Sequence, residues 1–181
     1  IPELPDERKK RYIEDLKLSN YDSSVLTTDK DVSDFFDLIF KYKPELKESA
    51  KIVANWVTSE LFSILKKNEI DIIDSPISPL FIGELVVLII SNKISGKIAK
   101  DVFEEMFNTK KSPNEIVEKK GLTQVTNIKE IEKIIDEIIR INHDKVLQYQ
   151  NGKTKLLGFF VGQAMKLSKG KANPKMLNEI L

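Results

Sequence analysis

Between Asn127 and Arg140, isoleucines fall at 128, 131, 134, 135, 138 and 139, the spacing of one broad face of an α-helix. Comparable helical spacing recurs along nearly the whole chain. No strand-like alternation is sustained, and glycine and proline stand at boundaries rather than in repeated turn signals. This periodicity predicts an all-α fold of two small helical lobes joined by a short proline-containing linker.

The first helix is expected from Pro5 to about Leu16, with Asp6 and Glu7 near its positive end. Thr28 is the expected cap of a helix through about Tyr42 that buries Phe35, Phe36, Ile39 and Phe40. Pro44 opens a long helix in which Ala50, Val53, Ala54, Val57, Leu61, Ile64 and Leu65 share a face. Trp56 sits in that helix and reads as core in preference to a stacking platform. Ile70 to Ser78, broken by Pro76 and Pro79, is the expected linker, dividing residues 1–70 from 71–181. Beyond it, Ser78 is placed to cap a helix, with Ile77 and Ile82 as a hydrophobic staple. Ser95 starts another helix. Ser112 and Glu115 form a capping box for a short helix that Gly121 stops. Asn127 caps the isoleucine helix, and a further helix is expected from about Lys153 to Ser168. Gly170 breaks that helix, and Asn173-Pro174 starts the last one.

Several chemistries are excluded or disfavoured. There is no cysteine, which rules out disulfides, thiolate catalysis and cysteine-ligated zinc, and His143 is the one histidine. Gly152-Lys153-Thr154 imitates a phosphate loop but has Leu147 where the first glycine should stand and a helix, not a strand, before it, and Ser95-Gly96-Lys97-Ile98 lacks both the earlier glycine and the hydroxyl residue. Glu104/Glu105 and Asp136/Glu137 are sequence neighbours, which a helix splays apart by about 100°. The longest apolar run, Leu80 to Ile90, is interrupted by Glu84 and is too short for a bilayer. Ile1 is not an initiator methionine, so a longer parent protein is expected.

The near-neutral net charge of +1 hides an asymmetry. Residues 1–70 and 71–150 are each −2, whereas residues 151–181 carry six lysines and one acid, Glu179. No acid lies between Asp144 and Glu179. In the helix around residues 153–168, Leu156, Leu157, Phe160, Val161, Ala164 and Leu167 share one face, and Lys155, Gly158, Gly162 and Lys166 share the other. A glycine in mid-helix costs about 1 kcal/mol against alanine. Two of them suggest close approach by something, either another helix, the first expectation, or a nucleic-acid backbone. Lys166, Lys169, Lys171 and Lys175 then surround the Gly170 break and the Asn173-Pro174 start. That is a pattern for phosphate contacts rather than base readout, with a solvated helix end as the plain alternative. Lys93, Lys97 and Lys100 form a second possible basic stripe, which Asp101 and Glu104 stand to neutralise.

Several segments together resemble a known family. Pro2-Glu-Leu-Pro-Asp-Glu-Arg-Lys-Lys-Arg-Tyr12, Tyr21-Asp22, Val25-Leu-Thr27 and Ala54-Asn-Trp56 resemble the helical region that follows the catalytic cradle in B subunits of tRNA-dependent amidotransferases. Lys93 to Met106, Gly158-Phe-Phe-Val-Gly-Gln163 and Lys169-Gly-Lys-Ala-Asn-Pro-Lys175 resemble the YqeY-like tail. The apolar start Ile77 to Leu85 and the Phe159-Phe160 pair depart from the family pattern.

The resemblance implies a function. The parent enzyme converts misacylated Glu-tRNA(Gln) or Asp-tRNA(Asn) to the amide, using ATP, magnesium and ammonia released from glutamine by the A subunit. The nucleotide and metal sites belong to the cradle, so no catalytic, cofactor or metal residue is expected in this piece. The helical region and tail would hold the outer corner of tRNA(Gln) or tRNA(Asn) near its D-loop. Candidate tRNA contacts are Lys93, Lys97, Lys100, Lys155, Lys166, Lys169, Lys171, Asn173 and Lys175. The A and C subunits are the implied protein partners, and the cytoplasm, or an organelle matrix, the implied compartment. A docking scaffold for those subunits and a stand-alone RNA-binding module are the competing readings.

Overall fold

Two arginines on the first helix determine how the N-terminal part of the chain closes. In the computed structural model, which describes residues 3–181, α1 (Pro5–Glu14) lies alongside α3 (Lys30–Tyr42). Arg11 Nη2 reaches Glu3 at 2.6 Å and Asp37 at 2.8 Å, and Arg8 Nη1 reaches Asp34 at 2.8 Å and Ser33 Oγ at 2.6 Å. Beneath this clasp Tyr12 is fully buried, donates its hydroxyl to the Ser33 carbonyl and packs edge-on against Phe36. Ile1 and Pro2, and with them the start of the Pro2–Tyr12 motif, lie outside the described residues.

The architecture is all-α, and the only β-type pairing among the described residues is one isolated bridge, Val125 with Ala172. The chain divides into two compact units, residues 1–90 with 102–116, and residues 91–101 with 117–181. The sequence-expected boundary at 70/71 falls within the first unit. There Ile77 is fully buried, and Ser75 Oγ bonds both the N–H and the carbonyl of Ile77.

Within the first unit, local chemistry departs from expectation at three points. α1 ends at Glu14, and Lys17 adopts a left-handed conformation that turns the chain into α2 (Asn20–Thr27), which periodicity did not reveal. Asp29, not Thr28, caps α3. Its carboxylate accepts from Asp31 N at 2.6 Å, while the Thr28 hydroxyl donates back to Ser24 at the end of α2. The long helix expected from Pro44 is instead a 3₁₀ turn (Pro44–Ser49), α4 (Ala50–Asn55), a π-helical turn (Trp56–Leu61) and α5 (Phe62–Lys67). Val53, Val57, Leu61 and Leu65 are all buried at a strict spacing of four. On a 3.6-residue helix each step of four drifts by about 40°. The wider π turn takes up that drift and keeps the four on one face. Trp56 is core, its ring 5.5 Å from that of Phe103.

The remaining elements follow the predicted caps. Ser78 Oγ accepts from Phe81 N at the start of α6 (Pro79–Ile90), and Ile77 and Ile82 are both fully buried. α7 is Gly96–Thr109, and α8 (Pro113–Lys120) has Ser112 Oγ accepting from Glu115 N. Asn127 Oδ1 accepts from Lys129 N to open α9 (Ile128–Ile141). A separate α10 (His143–Gln150) follows, with His143 exposed at its first position. α11 (Leu156–Leu167) and α12 (Pro174–Ile180) complete the second unit. Its core is Ile131, Ile135, Ile138, Phe160, Ala164, Ala172 and Leu177.

The α1–α3 clasp makes a prediction about pH. Arg11, hydrogen-bonded to Glu3, holds the Glu3 carboxyl down at about 2, against 4.5 ordinarily. A carboxylate with a depressed folded pKa stabilises the fold above its unfolded pKa, and that contribution fades as pH falls towards the folded value. Between pH 4.5 and 2 the first unit should therefore lose stability, and Glu3→Gln should flatten this loss. Urea midpoints followed by Trp56 fluorescence across that range are the check. Identical pH profiles for the two proteins would remove Glu3 from the clasp.

Candidate nucleic-acid interface

The second unit holds two distant pieces of chain together by a few polar groups. Ser95, buried at the start of α7, accepts from Ile98 N and donates its hydroxyl to the Gly170 carbonyl at 3.2 Å. The Lys93 carbonyl accepts from Gln124 N at 2.6 Å. One residue on, Val125 N donates to the Lys171 carbonyl at 2.7 Å, and Asn173 N donates to the Val125 carbonyl at 3.3 Å. Residues 93–95 and 170–173 are thus tied through 124–125. Lys169 and Gly170 both take positive φ, 52° and 79°, which makes the sharp reversal at the end of α11. Ser168 Oγ closes the turn by accepting from Ala172 N.

This seating gathers several of the sequence-predicted lysines. Lys93 and Lys97 are exposed, and Lys97 Cδ would lie 3.9 Å from a Cβ placed on Gly170. Lys169 is exposed and Lys171 half-buried on the same turn. Lys100 is exposed one turn further along α7. Lys155 and Lys166 are exposed at opposite ends of α11, roughly 16 Å apart at 1.5 Å per residue. Lys175 is exposed on α12, with Glu179 at 4.0 Å. Asn173 has a structural duty. Its carboxamide oxygen accepts from Lys175 N at 2.9 Å and Met176 N at 3.3 Å, so these two N–H groups of the α12 start are already engaged.

The glycines of α11 overturn the first sequence expectation. Lys155, Gly158, Gly162 and Lys166 succeed one another at steps of three, four and four, so they share a face, and all four are exposed. A Cβ built on Gly158 or Gly162 would meet nothing within 4 Å. Among the described residues no helix packs on them, because the apolar face turns the other way and buries Phe160 and Ala164. Leu167, expected in that core, is instead 44% exposed. It lines a groove of about 340 Å³ together with Ile138, Ile141, Asn142, Gln163, Lys166 and Lys169. Sequence reading missed the groove, since it forms between the C-terminal ends of two helices whose pairing no local pattern encodes.

Among the described residues, no group of three or more His, Asp or Glu side chains is placed to hold a metal ion, and no helix is long and apolar enough to cross a membrane.

Comparison with known proteins fits this picture. The B subunit of the aspartyl/glutamyl-tRNA(Asn/Gln) amidotransferase of Wolbachia pipientis wMel is 47% identical over all 181 residues, that of Persephonella marina 49%, and that of Nitrosococcus oceani 48%. The chain spans 37–38% of the length of these relatives. The family model described as the GatB domain matches residues 34–181, which include every lysine of the candidate interface. With that match over most of its length, the chain belongs to the GatB domain family.

Proposed function

We propose that this chain is the tRNA-holding region of an amidotransferase B subunit and that it grips the phosphate backbone along the lysine- and glycine-lined face of α11. The observation that carries the proposal is the open pair Gly158 and Gly162. Each costs helix stability, and among the described residues no other group lies within 4 Å of where their side chains would begin. An RNA backbone can approach such a flat strip closely, with Lys155 at one end and Lys166 and Lys169 at the other to replace its counterions. The contacts expected are to phosphate and shape, so they position a tRNA without reading its sequence.

The relatives' names concern tRNA(Asn) and tRNA(Gln), and we take these as the substrates of the whole enzyme. Amide formation, ATP and magnesium belong in this reading to the catalytic cradle of the parent protein, with the A and C subunits as partners in the cytoplasm or an organelle matrix. The 181 residues are expected to catalyse neither ATP hydrolysis nor amide transfer by themselves.

Two measurements test the grip. Lys166→Ala with Lys169→Ala should weaken tRNA binding and make the log–log salt dependence shallower by roughly 1.5, at about 0.7–0.9 per phosphate contact. A salt titration of affinity for both proteins reads this directly, and parallel lines would mean that these lysines are only a solvated helix end. Separately, Gly158→Ala and Gly162→Ala should each raise stability by up to about 1 kcal/mol, because the added methyl meets no obstacle. In the same proteins tRNA affinity should fall. Stability gained with affinity unchanged would show that the glycines do not serve a backbone approach.

A further inference from the structure

The groove at the end of α11 has a composition that phosphate binding does not require. Its floor is apolar, built from Ile138, Ile141 and Leu167, and Ile141 and Leu167 are 64% and 44% exposed. Two carboxamides enter it. Asn142 Nδ2 donates to the Ile138 carbonyl at 2.9 Å, which leaves its oxygen as an acceptor. Gln163 has no hydrogen-bond partner for its side chain among the described residues, so its donor and its acceptor are both available. Lys166 and Lys169 complete the lining, which contains no carboxylate. At about 340 Å³ the groove falls in the range of about 300–1,000 Å³ typical of small-ligand sites.

We infer that this groove receives one unstacked nucleobase of the bound RNA, an inference that rests on the tRNA-holding role proposed above. A nucleobase presents two apolar faces, an edge with adjacent donors and acceptors, and a phosphate on either side. The groove offers the counterpart of each: aliphatic side chains for the faces, the Gln163 carboxamide and Asn142 oxygen for the edge, and the two lysines for the phosphates. A carboxamide can donate to and accept from a base edge at once, which a lysine, having no acceptor, cannot. Charge separates this occupant from an apolar protein side chain, because two cations beside an apolar floor with no acid suit a polyanion. The groove also continues from the exposed Lys155–Gly158–Gly162–Lys166 face, since Lys166 belongs to both. A strand following that face would therefore bring an unpaired residue to the groove. The site so assigned selects for RNA with an unstacked base, a preference that backbone contacts alone would not create.

The test uses the 181-residue chain, a tRNA(Gln) transcript, a set of the same transcript with each unpaired nucleotide in turn made abasic, and a fully paired RNA duplex. Gln163→Leu keeps the side-chain volume and all lysines but removes the edge contacts. It should weaken binding of the intact transcript roughly tenfold, in the range expected for one bidentate base contact. It should leave the affinity for the duplex and the salt slope unchanged. One abasic position should weaken the wild type by a similar factor and leave Gln163→Leu unaffected, the coupling expected of two partners in contact. Leu167→Ala, at a half-open position, should reproduce the selective loss through the floor. Salt-dependent tRNA binding with no coupling between Gln163 and any abasic site would overturn the base site and leave the phosphate grip standing. Absence of salt-dependent tRNA binding by the wild type would instead overturn the grip itself. Loss of binding to either purified partner protein of the amidotransferase in Gln163→Leu, with tRNA binding intact, would assign the groove to a protein and also overturn the inference.

Discussion

The hydroxyl of Ser95 is used twice, once to cap α7 and once to hold the Gly170 carbonyl 75 residues further along the chain. The geometry of the second unit depends on this bond and its neighbours through Gln124 and Val125. A buried carbonyl without a partner costs about 1–3 kcal/mol, so the Gly170 turn has a strong reason to stay where Ser95 holds it. Gly170 itself takes a positive φ, and Lys169 before it does the same against the usual preference of a side-chain-bearing residue. The result is a tight, fixed reversal at the end of α11, held against the start of α7, where the Lys97 side chain comes close to Gly170.

Features encoded within a few residues were legible in the sequence. The serine and asparagine caps at Ser78, Ser112, Asn127 and Asn173 all accept hydrogen bonds from their own helices. The apolar periods correctly marked Phe35, Phe36, Ile39 and Phe40 as buried. Features that depend on pairing between distant segments were not legible. The Arg8 and Arg11 clasp reads in sequence as an ordinary charged helix face, because Asp34 and Asp37 stand some 26 residues away. The π turn at Trp56–Leu61 was also hidden, since a spacing of four residues is compatible with a plain α-helix until the whole buried row is seen.

The candidate interface shows the same division. The charge of the C-terminal segment and the two mid-helix glycines drew notice from sequence alone, but the direction the glycines face was open. A glycine in a helix marks a close approach without saying by what. The structure answers for the protein side, where the faces of Gly158 and Gly162 are open and Phe160 and Ala164 hold the core behind them. The groove beside Gln163 belongs to the same class of feature. Neither helix end forms it alone, and the exposure of Leu167 and Ile141 makes sense only once both ends are in place.

The central claim, that RNA lies along the open face of α11, is tested most directly by locating the contact residue by residue. Glycine amide signals are distinct in ¹⁵N-resolved NMR, and Gly158 and Gly162 carry no side chain to relay indirect effects. On titration with tRNA, their amides, with those of Lys166 and Lys169, should show the largest shifts or broadening, and added salt should reverse the change. The amides of Phe160 and Ala164, on the buried side of the same helix, should respond less. Strong tRNA binding that leaves Gly158 and Gly162 unperturbed, with the changes confined to the first unit, would contradict the account.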